Sequence, residues 1–169
     1  SPLREELAET LARLDAGILF LWQPDGSFRT FHRPAERNDN QNFYPGEALT
    51  YWAVLFRETR EAALHDRALK SLAWYKDWHL ANRNPAFVPW HTQAAAAFFE
   101  MSGEAWLRDW CFQMNDWLLS MPQTEVTHPD LLGRFFDPKR PEYGVPHASS
   151  TGVYLEGLAD AFKLAEAAG

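Results

Sequence analysis

One cysteine, Cys111, is all that the 169 residues contain, so no disulfide can form within the chain. Its neighbours Trp110, Phe112 and Met114 predict a buried, unreactive thiol rather than a nucleophile. Basic residues are also scarce, 16 Lys and Arg against 23 Asp and Glu, for a net charge of −7 without any basic run. A chain that repels phosphate on balance excludes nucleic acid and anionic membrane as expected partners. No apolar stretch approaches the about 20 residues of a membrane span. No segment alternates well enough to build a sheet; Gly26 to Phe31 and Leu131 to Phe136 reach at most short strands. No His-x-x-x-His spacing exists, and a metal site would need a third ligand such as Glu47, so neither metal nor cofactor is expected. The chain opens at Ser1 with no initiator Met and no signal-like segment. A cut or processed end is therefore expected, and the compartment stays open.

What the sequence has in plenty is apolar and aromatic mass: 46% hydrophobic residues and 15% aromatics, with eight Trp and twelve Phe. That is ample for one sizeable core spanning 1–169 as a single domain. Six segments carry helical apolar spacing. The first places Leu3, Leu7, Leu11, Leu14, Ile18 and Leu21 at steps of three and four, and stops at Pro24-Asp25-Gly26. The second begins after Pro45-Gly46 with Leu49, Trp52, Ala53 and Phe56. The third runs from about Glu61 to Ala81 with Leu64, Ala68, Leu72, Tyr75 and His79 on one stripe. The fourth follows Pro89 and includes Ala94, Ala97, Phe98 and Met101. Beyond Ser102-Gly103 the fifth runs from Glu104 to about Ser120, and the sixth spans roughly Ser150 to Ala168 with Leu155, Leu158, Phe162 and Ala165. The prolines fall between these segments or at their starts.

An internal repeat underlies the pattern. A shift of 43 residues lays Ala53 on Ala96, Phe56 on Phe99, Glu61 on Glu104, Ala62 on Ala105, Leu64 on Leu107, Asp66 on Asp109 and Trp74 on Trp117. Each unit reads as a short helix, a tight turn and a longer Trp-bearing helix. A weaker third copy puts Ala159 and Phe162 in the places of Ala53 and Phe56, and reaches Gly169 where its second helix is due. The expected fold is all-α, an array of three antiparallel helical hairpins, with helix in more than about half of the residues. Trp74 and Trp117, as equivalent positions on the longer helices, are expected to be buried between layers.

The stretches Tyr44 to Tyr75, Val88 to Leu118 and Pro146 to Gly169 resemble the unit of the (α/α) toroid families: a Pro-led inner helix, a small break, then an outer helix. Gln23-Pro24-Asp25-Gly26-Ser27-Phe28 resembles the Gln-x-x-Asp-Gly-Ser turn of toroids such as terpene cyclases and glycan-processing enzymes. The chain lacks the Asp-rich motif of terpene cyclases and the cysteines of lanthionine cyclases, which leaves the carbohydrate-active members. A full toroid has twelve helices, so six imply half a ring. The resemblance thus implies a saccharide ligand, and the remainder of a longer chain or a second copy as the partner completing the ring.

In such a ring the entries to the inner helices gather at one mouth. That brings Tyr44, Glu47, Trp90, His91, Gln93, His147 and Ser150 toward one cleft, with Tyr44 and Trp90 as stacking faces and Gln93 and Ser150 as hydroxyl partners. Glu47, His91 and His147 are the candidate acid–base groups, since imidazole titrates near neutrality. Each has a plainer reading. Glu47 in a first helical turn is favoured by the helix dipole. The two histidines fill space or bond a loop carbonyl. Ser149-Ser150-Thr151, without a Gly-x-Ser-x-Gly elbow, reads as a helix N-cap cluster. Asn38-Asp39-Asn40-Gln41-Asn42 reads as a solvated turn that adds polar groups nearby. Only one acid, Glu47, has a clear place at the mouth, with Asp39 a loose second, which is short of the two a glycosidase requires. A non-catalytic helical scaffold or protein-interaction domain of a larger enzyme is the alternative function.

Overall fold

The computed structural model describes residues 7–122, 124, 129–137, 139–145 and 147–168. Leu3 of the first apolar stripe, His128, the loop prolines Pro138 and Pro146, and Gly169 lie outside the described residues. Six α-helices carry the described chain: α1 (Ala8–Leu21), α2 (Tyr44–Thr59), α3 (Ala62–Ala81), α4 (Val88–Ser102), α5 (Ala105–Leu118) and α6 (Ala148–Ala168). Helix makes up 70% of the described residues, which form no strand. The two suspected strand segments reach only single antiparallel bridges, Trp22 with Phe28 and Pro122 with Phe135.

Local chemistry sets the helix ends. Proline stands in the first turn of α2 and of α4, where its missing N–H costs nothing and its fixed φ favours the helix. Helices α2 and α4 end in the same way, 43 residues apart in sequence. Arg60 takes φ 54° and Gly103 takes φ 73°, and their N–H groups close onto the carbonyls of Phe56 and Phe99. A left-handed residue after the last turn satisfies a carbonyl the helix leaves open. The second unit supplies the glycine this requires, whereas the first makes do with Arg60.

Helix α4 is the centre. It is buried on most of its circumference, through Val88, Pro89, His91, Thr92, Ala94, Ala95, Ala96 and Phe98, as a helix apolar on nearly all sides must be. It packs against α2, α5 and α6. Its contacts with α2 join start to start and end to end: the Thr50 hydroxyl donates to the Trp90 carbonyl at 3.2 Å, and Arg57 pairs with Glu100 at 3.3 Å. The two helices are therefore parallel. Helix α6 follows the same sense, with Gly157 against Pro89 and the Asp160–Lys163 pair beside Gln93 and Glu100. Helices α3 and α5 run the other way. On α3, His79 meets Phe87 and His65 meets Phe98. On α5, Asn115 donates to the Thr92 hydroxyl at 2.9 Å and Arg108 lies over Phe99.

The stripe Leu64, Ala68, Leu72, Tyr75 and His79 is buried throughout, as its spacing predicts. The expectation for Trp74 and Trp117 is corrected: both are half-buried, packed against the core from outside it. Their chain neighbours Tyr75 and Leu118 hold the buried repeat position. One residue is about 100° of helical turn, which carries each Trp to the shoulder of its stripe. A similar shift corrects α6, where Tyr154, Ala161 and Leu164 face the core. Leu155 is 54% and Phe162 62% exposed, since no described helix stands beyond α6. On α1, Leu7, Leu11 and Leu14 are likewise exposed, and only Ile18, Leu19 and Leu21 lean on the core.

The Gln23–Phe28 turn is fastened to α3, with Gly26 against Lys70 and the Phe28 N–H on Tyr75. Asp25 accepts from both the backbone N–H and the hydroxyl of Ser27, which holds its carboxyl below the usual range. Phe28 is fully buried. A closed ring of bonds surrounds it. Its N–H donates to the Tyr75 hydroxyl (3.0 Å), that hydroxyl donates to Gln41 Oε1 (2.6 Å), and Gln41 Nε2 donates to the Phe28 carbonyl (2.8 Å). Gln41 is therefore a structural member of the Asn-rich loop, and so is Asn38, whose Oδ1 accepts from the Thr30 N–H.

Candidate functional site

The parallel run of α2, α4 and α6 puts their starts at one end of the bundle, and residues 135–137 and 143–145 lie across the starts of α4 and α6. Between them lies a cavity of about 320 Å³. Trp90, at the third position of α4, forms one wall. His147 and Ser150, at the entry to α6, form another. Phe43, Phe135, Phe136, Tyr143 and Tyr154 add aromatic surface beside aliphatic residues such as Met121 and Val153, with Asp137 and Ser149 as further polar groups. Phe135 is buried edge-on against Tyr154 at 5.5 Å between centroids, which fixes that side of the cavity. Burial also raises the Tyr154 hydroxyl pKa, keeping it a neutral donor.

His147 caps α6. Its Nδ1 accepts from the Ser150 N–H at 3.2 Å, and the Ser150 hydroxyl donates to the His147 carbonyl at 3.1 Å. The capping side chain is thus His147 rather than the serine cluster that follows it. Because Nδ1 is the acceptor, the neutral ring carries its proton on Nε2, which is left as a donor.

Other expected site residues go elsewhere. Tyr44 and Glu47 line a separate groove of about 410 Å³ between α1 and α2, with Arg13, Leu14, His32 and Tyr51. Burial, and secondarily the Glu47 charge, raise the Tyr44 pKa. Gln93 sits farther along α4, in a small polar groove with Arg57, Glu100, Asp160 and Lys163. His91 is fully buried and lines none of these depressions. Its Nδ1 lies 2.9 Å from the Phe87 carbonyl, so that nitrogen is the donor. Desolvation above all drives its pKa down to about 3. Its place among the acid–base groups is therefore corrected. The start of α4 is roofed by Phe87 and Tyr75 and closed by Gly46 of α2, so a first-turn position there is interior.

Asp137, Tyr143, Tyr154 and the Phe135-Phe136 pair join the cavity without a sequence signal beyond a suspected short strand. Cys111 is buried, and burial pushes its thiol up to about 12, the inert state its apolar neighbours predict. Among the described residues no three His, Cys, Asp or Glu side chains are placed to hold a metal ion. None of the described helices is long and apolar enough to cross a membrane.

No protein family, curated protein or solved structure is found to match this chain. The geometry therefore carries the functional argument by itself.

Proposed function

We propose that this chain is the glycan-binding half of an (α/α) toroid, a three-hairpin array that receives a saccharide at the entries to α4 and α6. The observation that carries the reading is the 320 Å³ cavity, in which aromatic walls surround Asp137, His147 and two serine hydroxyls. Aromatic faces take the C–H surface of a pyranose, while a few placed polar groups take its hydroxyls. Asp137 and His147 bring a carboxylate and an imidazole to this cavity; with Glu47 in another groove, they are the pair on which any acid–base chemistry would rest.

The alternative, a helical scaffold within a larger assembly, draws on the exposed apolar faces of α1 and α6. Both readings agree that further helices, from the same chain or from a second copy, would complete the layer.

A glycan array combined with thermal melts tests the proposal on wild type and Trp90→Ala. The expected result is saccharide binding by wild type, lost in W90A with little change in melting temperature. Should neither protein bind a saccharide while W90A melts far lower, Trp90 is core and the scaffold reading takes over.

A further inference from the structure

The cavity does not stop at its own rim. Asp137 and Tyr143 also wall a second, wider depression of about 620 Å³ at the end of α3. This one is polar, with Arg83 and the amides of Asn42 and Asn82 set around Trp78 and Trp117. Its charged groups are mostly spoken for. Arg140 pairs with Glu142 at 3.3 Å, and Asp137 Oδ1 accepts from the Lys139 N–H at 2.9 Å. Arg83 differs. Its guanidinium lies over the Trp117 ring, 5.2 Å from the centroid, and among the described residues no carboxylate pairs with it.

We propose that the two depressions form one cleft, and that Arg83 receives the oxyanion of an acidic sugar unit adjoining the unit held at Trp90. The proposal rests on the saccharide reading above and narrows it to chains bearing a carboxylate or a sulfate. A guanidinium resting on an aromatic face keeps its in-plane donors for a planar or tetrahedral oxyanion, and the contact holds it in place beforehand. Trp78 and Trp117 offer ring surface beside it. Arg83 and Arg140 balance Asp137 and Glu142 in this depression, so it carries no net negative charge of its own, and with Arg140 taken up by Glu142 Arg83 is the cation left for an anionic ligand.

The test uses an array of uronate, sulfated and neutral oligosaccharides, followed by calorimetry on each acidic hit against its carboxyl-reduced or desulfated twin. Wild type should prefer the acidic member by about tenfold or more, the scale of one charge-assisted pair. Which twin pair shows the preference tells carboxylate from sulfate. Arg83→Gln should abolish the preference while leaving the neutral twin's affinity unchanged, and Arg83→Lys should narrow it. If R83Q melts several degrees lower, R83K decides alone, and an unchanged preference there overturns the proposal. Trp90→Ala should weaken both twins. Equal binding of the twins by wild type, with W90A still weakening both, removes the role of Arg83 and leaves the saccharide reading standing. Failure of every saccharide on the array removes both.

Discussion

The ring of Phe87 lies 3.5 Å, centroid to centroid, from the imidazole of His91, with 7° between their planes. On its other flank His79 stacks on the same Phe87 at 4.4 Å and 5°. Two imidazoles are thus held with one phenyl ring in the core where α3 meets α4. Among the described residues neither has a carboxylate partner, and both Nε2 atoms are buried without a hydrogen bond.

This pairing makes stability depend on pH. Desolvation first, then the nearby Arg83 charge, lower His79 to about 4, and desolvation lowers His91 to about 3. The unfolded chain protonates both near 6.5, so between that pH and the folded values it binds more protons than the native state. Stability is fully present above about pH 6.5 and is lost as pH falls toward 4 and then 3. For His79 alone the shift corresponds to roughly 3 kcal/mol. Urea melts from pH 7.5 to 4.5 should show this decline, and His79→Gln should flatten it. A slope that H79Q leaves unchanged would assign the decline to other groups.

Burial ranks the tryptophans. Trp52 and Trp110 are enclosed, whereas Trp74 and Trp117 are half-buried. Truncating Trp52 or Trp110 to Ala should cost about 3–5 kcal/mol, and truncating Trp74 or Trp117 distinctly less, about 1–2 kcal/mol in proportion to the area they bury. Denaturant midpoints of the four variants give the order directly. An equal cost at all four positions would contradict the one-residue offset between the repeat and the buried stripe.

Two glycines set the spacing of the parallel helices. A Cβ on Gly46 would stand 2.5 Å from Trp90 Cβ and 2.8 Å from His91 Nδ1, and one on Gly157 would stand 2.7 Å from the Pro89 Cα. Gly46→Ala and Gly157→Ala should each destabilise by about 1–3 kcal/mol as the helices are pushed apart. Gly17 and Gly152 are helical too, with nothing within 4 Å of a Cβ. Alanine there should stabilise by up to about 1 kcal/mol. Thermal melts in which all four substitutions act alike would argue against the close approach of α2, α4 and α6.

Arg60 holds a left-handed conformation that its repeat equivalent, Gly103, adopts freely. Arg60→Gly should therefore stabilise by about 1 kcal/mol, relieving the Cβ clash of that conformation. The loss of the guanidinium contact with Phe56, at 5.6 Å and exposed, offsets little of this. A fall in melting temperature would show that the contact outweighs the strain.

Periodicity and punctuation are local properties, so the sequence alone determined the six helices, the break at Ser102-Gly103, and the buried stripe from Leu64 to His79. The same reasoning placed Cys111 in the core. It failed by one residue at Trp74, Trp117, Leu155 and Phe162, where large side chains were taken as pointing inward. Which side of a helix is inside depends on what stands beside it, and α6 has a neighbour on one flank only. The site divided in the same way. Trp90, His147 and Ser150 came together because parallel helices bring their starts to one end. His91, one position after Trp90, fell into the interior because Phe87, Tyr75 and Gly46 close over it. Asp137 and Tyr143 reached the cleft through an irregular segment without period, whose position is set only by contacts with residues far away in the chain.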